Sequence, residues 1–242
     1  MDFIKKLVGE KNLMTKLIEF FDEGSFESEY PMPASKFLPN WYKQMPSYSD
    51  DVDGKKKPHP NYLTTASIKR CVPVFDAISA GYLITTAVDI YVSQVDGRPW
   101  FQWTQGNYIS FHANQQLSLH PTSTGADAPK INNFWGIKTP IGYSCLFVPP
   151  LHRDNQIVIF PGIVDTDTYH VPTNFPFSLA NPKFEGIIPK GTPFVQVIPF
   201  KRENWKSEHL KSAKLIESQK TKIVTVFFDA YRKLFWQRKT YN

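Results

Sequence analysis

The chain has 242 residues, 41% of them hydrophobic and 15% aromatic, which excludes a disordered polypeptide and leaves material for one substantial core. Its formal charge of +6 is uneven: residues 1–200 carry 17 Lys/Arg against 18 Asp/Glu, and residues 201–242 carry 11 against 4. Twenty prolines against twelve glycines argue against a helical bundle and for short strands joined by rigid turns.

At the N-terminus, Phe3, Ile4, Leu7, Val8, Leu13, Met14, Leu17, Ile18 and Phe21 recur at helical spacing, so residues 2–22 are expected to form an amphipathic helix that docks on the body or a neighbouring subunit. Lys5, Lys6, Glu10 and Lys11 interrupt its apolar run, which does not read as a signal peptide. Residues 30–48 combine four prolines with Phe37, Trp41 and Tyr42; this is an extended arm with one helical turn, whose aromatics need a surface to bury them. A charged, breaker-rich loop follows at 49–61.

From Thr64 to His120 the pattern is β. Residues 66–78 and 81–95 read as strands, Asp96-Gly97 as a hairpin turn, and residues 98–105 as the return strand. Residues 121–133 read as a polar loop. Between Gly142 and Phe200, the segments GYSCLFVPP, PGIVDTDTYHVPTNFPF and EGIIPKGTPFVQVIPF carry further strand patterns around an acidic turn at Asp165 and Asp167. Ser207 suits a helix N-cap, and a basic helix is expected from there to about Gln237. The resulting division is 1–63 for the helix and arm, 64–203 for the β domain and 204–242 for the basic extension.

Cys71 and Cys145 lie in apolar stretches without metal-type spacing, the pattern of reduced core residues in an intracellular protein. No apolar run approaches the ~20 residues needed to span a bilayer. The expected location is cytoplasmic or within a virion, with no membrane partner. The basic extension suits either a solvated helix face or contact with nucleic acid. Asp165, Asp167 and His170 suit a cation site, or a turn capped by carboxylates. Trp100, Phe101, Trp103 and Tyr108 form an aromatic hairpin with little positive charge, which fits core packing or an oligomer interface better than base stacking.

Four short segments occur in the order of the trimeric dUTPase and dCTP deaminase (β-clip) superfamily. SAGYLITTAVDIYV at 79–92 resembles its first motif, FVPPLHRDN at 147–155 falls where the second belongs, PGIVDTDTY at 161–169 resembles the third, and IPKGTPFVQVIPF at 188–200 the fourth. The resemblance implies a mainly β, distorted barrel or sandwich assembled as a homotrimer. It puts Asp165 in the place of the water-activating base and gives ligand contacts to Tyr82, Arg153, Asp167, Tyr169 and Gln196. An active enzyme of this type would use Mg²⁺. The chain departs from the family where phosphate chemistry is carried: Leu83 follows Tyr82 in place of the motif's Asp, Arg-Ser-Gly is reduced to Arg153, and the glycine-rich C-terminal arm is replaced by the basic extension. The whole chain also looks like proteins of tailed-phage genomes. Three functions are consistent with these residues: a non-catalytic assembly protein on a dUTPase-like scaffold, a metal-dependent nucleoside triphosphate pyrophosphatase, and a module binding nucleotide or nucleic acid.

Overall fold

The computed structural model describes residues 15–22, 24, 27–48, 66–121, 125–224 and 230–242. Most of the expected N-terminal helix and the charged loop at 49–61 lie outside the described residues. In chain order the elements are β1 (Glu19–Asp22), β2 (Met32–Pro33), a 3₁₀ turn (Ala34–Phe37), α1 (Asn40–Gln44), a second 3₁₀ turn (Ile68–Arg70) and α2 (Val72–Ser79). Then come β3 (Tyr82–Thr85), β4 (Ile90–Val95), β5 (Arg98–Trp103), β6 (Ile109–His112), α3 (Asn114–Leu117), β7 (Ala128–Ile131) and β8 (Trp135–Lys138). The remainder is β9 (Tyr143–Val148), β10 (Ile157–Ile159), β11 (Gly162–Val164), β12 (Phe175–Leu179), β13 (Gly186–Ile188), β14 (Pro193–Lys201), α4 (Ala213–Val224) and α5 (Ala230–Leu234).

The protein is mainly β, as its composition predicts. A five-stranded sheet has the order β11-β9-β14-β3-β2, a four-stranded sheet β10-β12-β7-β6, a three-stranded sheet β13-β4-β5, and β1 pairs with β8 alone. All of these pairings are antiparallel. The inward faces share one core in which aromatic rings meet edge-on or tilted: Phe101 against Phe177 at 5.5 Å, Phe147 against Phe175 at 5.4 Å, and Phe175 against Phe194 at 5.9 Å. Such pairs add to simple burial of their area. The Asp96-Gly97 turn has φ of 50° and 73°, so both residues are left-handed, the geometry that matches strand twist in a two-residue hairpin. Val95 pairs Arg98 across it.

Several expectations need correction. Residues 19–22 are a strand, with Phe20 opposite Ile137 and Phe21 opposite Gly136; the pairing energy of β8 overrides the local helical period. Gly136 is required there, since a Cβ would overlap the Phe21 ring and the His170 carbonyl. Residues 66–78 form the second 3₁₀ turn and α2 in place of a strand. Pro73 sits in the first helical turn, where its fixed φ suits a helix and its missing N–H costs nothing. The supposed loop at 121–133 contains β7, paired on both sides by β6 and β12. The C-terminal helix begins at Ala213, after a run from Arg202 without regular secondary structure. Cys71 is exposed, whereas Cys145 is buried.

The proline-rich arm does strap the body of its own chain. Tyr42 is buried and donates its hydroxyl to the Lys69 carbonyl at 3.0 Å, and the Trp41 indole donates to the His152 carbonyl at 2.8 Å. Among the described residues, no helix is long and apolar enough to cross a membrane.

Candidate functional site

The acidic turn follows β11. Asp165 accepts backbone N–H bonds at its carbonyl from Thr168 (3.1 Å) and Tyr169 (2.9 Å), which closes the turn. Register then fixes what its side chains meet. Val164 pairs Cys145 of β9, and Phe200 of β14 pairs Ser144, so the turn stands over the start of β9 and the residues after β14. Arg202, just beyond β14, reaches into it. Its Nη1 donates to Asp167 Oδ1 at 2.9 Å and to Asp165 Oδ1 at 3.2 Å, and its Nη2 donates to Asp167 Oδ2. The same Nη1 lies 2.9 Å from Ser144 Oγ and 3.1 Å from the Tyr143 carbonyl.

The two carboxylates differ in setting. The Asp167 side chain is 1% exposed and also accepts the Gly142 N–H at 2.8 Å. Hydrogen bonds from Arg202, then the Gly142 N–H, hold its pKa down at about 2; reciprocally, Asp167 raises that of Arg202. The Asp165 side chain is 61% exposed, yet its Oδ1 is engaged by both Ser144 Oγ, at 2.7 Å, and Arg202. A general base needs a lone pair free to take a proton from water, and a cation site needs both carboxylates facing open space. Arg202 occupies the space between them with a permanent charge, so this donor set does not fit Mg²⁺. Among the described residues no group of three or more His, Cys, Asp or Glu is arranged to hold a metal ion.

Tyr82, Arg153 and Gln196 gather elsewhere, around the end of α2. Gln196 is fully buried: its amide donates to the carbonyls of Ala77 (2.9 Å) and Ala80 (2.7 Å), and its oxygen accepts the Leu151 N–H at 2.8 Å. Arg153 donates to the carbonyls of Phe37, Ala34 (3.3 Å) and Ile78 (3.4 Å), tying the arm to α2. Burial lowers its pKa to about 10. Tyr82 is buried against Phe20 and Tyr241 and donates to the Asn242 carbonyl at 3.2 Å; desolvation raises its pKa. Tyr169 is half exposed beside the acidic turn.

All four motif segments contribute strands to the five-stranded sheet, but their side chains do not converge within one chain. Tyr82 aligns through Val197 and Phe147 with Gly162, and Asp165 lies three residues beyond it. The separation is therefore about 14 Å across the strands and about 10 Å along them. Gly191 lies at the opposite end of β14, where its N–H bonds the Thr86 carbonyl at 2.8 Å.

Of the aromatic hairpin, Phe101 and Tyr108 are core residues, whereas Trp100 is exposed and lines a groove of about 820 Å³ with Phe111 and Phe160. The residue that sequence reading missed is Arg202. It stands 35 positions from Asp167 and reads as the start of the basic extension; only the β9–β14 register reveals that it belongs to the acidic turn. The chain matches no protein-family model and no curated protein.

Proposed function

We propose that this protein is a non-catalytic assembly protein, a homo-oligomer built on a dUTPase-like β scaffold and held together in part by its C-terminal extension. The observation that carries this reading is the extension itself. From Arg202 to Ile223 every residue but Gln219 is exposed, including Trp205, Leu210, Leu215, Ile216 and Ile223. In α4, Leu215, Ile216 and Ile223 fall on one face, flanked by Lys220 and Lys222 and opposed by Lys214. A 12-residue helix is marginal in water without packing, and a run of uncovered large apolar side chains marks an interaction surface. The chain then returns to its body, where the Trp236 indole and Lys239 amine hold Asp76. A tethered, amphipathic helix standing off the body is suited to grip another copy.

The state of Asp165 supports the same reading, because one of the two oxygens of the carboxylate that a dUTPase-type hydrolase would use is already held by Arg202 and Ser144. The proposed setting is a tailed-phage virion, on the resemblance of the whole chain to proteins of such genomes; the protein should then be detected by mass spectrometry in purified particles.

Sedimentation analysis tests assembly directly. Wild type should run as a discrete oligomer, with trimer the first expectation, and Leu215→Glu with Ile216→Glu should dissociate it while leaving the β signature of circular dichroism unchanged. A wild-type chain that remains monomeric at the highest attainable concentration overturns the proposal. Release of pyrophosphate from a deoxynucleoside triphosphate with Mg²⁺, lost in Asp165→Ala, would replace it with the hydrolase reading.

A further inference from the structure

Two exposed surfaces of this chain match in chemistry. One is the groove beside the β4–β5 hairpin, about 820 Å³ in volume. Strand alternation in β5 turns Phe101 into the core and Trp100 outward, onto this groove. Phe111 of β6 and Phe160, in the link from β10 to β11, line it as well. Trp100 is 56% exposed and Phe111 50%, so two of these rings present much of their surface to water. Carboxylates stand on two of its walls: Asp96 at the tip of the hairpin and Asp127 at the entry to β7. Asp127 is fixed against α3, since its Oδ1 accepts the Asn114 N–H at 2.8 Å.

The other surface is α4. At helical spacing, Leu215, Gln219, Ile223 and Ile216 cover an arc of about 100°, with Lys220 and Lys222 at its two edges. The three aliphatic side chains are exposed. The helix lies between two fixed points, Arg202 in the acidic turn and Trp236 on Asp76, and so is tethered to its own body on both sides.

An apolar stripe edged by lysines is complementary in polarity and charge to an aromatic groove edged by carboxylates. We infer, resting on the assembly reading, that the groove of one copy receives α4 of a second copy. Leu215, Ile216 and Ile223 are the anchors, laid against Trp100, Phe111 and Phe160 as an amphipathic helix lies in a groove. Lys220 meets a groove carboxylate, a contact that fixes orientation and speeds encounter more than it adds affinity. The same carboxylates repel phosphate, which disfavours a nucleic-acid strand on these rings. Because helix and groove are different surfaces, the contact is head-to-tail and forms a ring when its rotation closes.

Disulfide trapping between chains tests this in a Cys71→Ser background, since Cys71 is the exposed native thiol. Full-length protein carrying Ile216→Cys is mixed with full-length protein carrying Trp100→Cys, allowed to exchange subunits and oxidised. The covalent pair of the two variants should form at least tenfold more than the disulfide dimer of either variant alone. Trp100→Glu with Phe111→Glu, both exposed positions, should raise the dissociation constant of the oligomer at least tenfold while the β circular dichroism is unchanged. An oligomer of wild-type strength in that double variant, without the covalent pair, overturns the inference, leaves assembly standing and assigns the groove to another occupant. A cross-link that forms only when both cysteines share one chain also overturns it, because α4 then docks on its own body. A wild-type monomer defeats the assembly reading itself and this contact with it.

Discussion

Arg202 and Asp167 meet as a planar fork on a carboxylate, both guanidinium nitrogens facing both carboxylate oxygens, with the Asp167 side chain sealed from solvent. The pair joins the turn after β11 to the end of β14, and through the Gly142 N–H to the entry of β9.

From this pair a pH signature follows. The folded pKa of Asp167 is depressed to about 2, below the ~3.9 of an unfolded aspartate. Its contribution to stability is therefore complete above about pH 5 and is lost as pH falls towards 2. Asp167→Asn should lower the melting temperature at pH 7, and the gap to wild type should narrow steadily on acidification. Paired thermal melts across that range measure it; a gap independent of pH contradicts the assignment.

Gly81 should be irreplaceable. Its φ is +64°, and a Cβ there would overlap the carbonyl oxygen of Val197, the residue that pairs Tyr82 in the central sheet. Gly81→Ala combines left-handed strain with a backbone collision, so the expected loss is at least about 3 kcal/mol. Urea denaturation should show an early midpoint or insoluble expression.

Gln196 bridges three backbone groups from inside the core. Replacing it with leucine keeps the volume but strands two carbonyls and one N–H, at a cost of about 4 kcal/mol. Gln196→Glu should be worse, since a carboxylate would face the carbonyls of Ala77 and Ala80. A ligand-binding role would instead leave the midpoint of chemical denaturation near wild type.

The two thiols should be distinguishable. Burial pushes the Cys145 thiol up to about 11, and it is enclosed in the core, whereas Cys71 is exposed. Titration with a thiol-reactive chromophore should modify Cys71 alone in the native protein and both residues after unfolding. Prompt modification of Cys145 under native conditions would mean that the core around β9 opens.

The fold was legible where local pattern and long-range pairing agree. Asp96-Gly97 announces its hairpin because both residues readily take the left-handed conformation that matches strand twist, and the strand pattern of residues 193–201 survives because β14 lies between β9 and β3 with Phe194–Val197 buried on both faces. Legibility failed where a distant partner decides. Phe20 and Phe21 keep a helical spacing but are drawn into a strand by β8. The 128–131 segment looks like loop, yet β6 and β12 pair it from both sides. Val72-Pro73-Val74 carries β-branched residues, while the proline's position in the first turn selects helix. For the candidate site, the sequence located the acidic turn but not the arginine that neutralises it, because that pairing is a property of register.

The five-stranded sheet has its last-made strand in the middle, since β14 lies between β9 and β3. During synthesis, the earlier strands leave the ribosome with unsatisfied edges and wait for residues 193–201. At cellular elongation rates the interval between β3 and β14 is roughly 5–20 s. Nascent chains stalled before that point should be targets for chaperones, and release of the sheet from them should coincide with emergence of Pro193–Lys201.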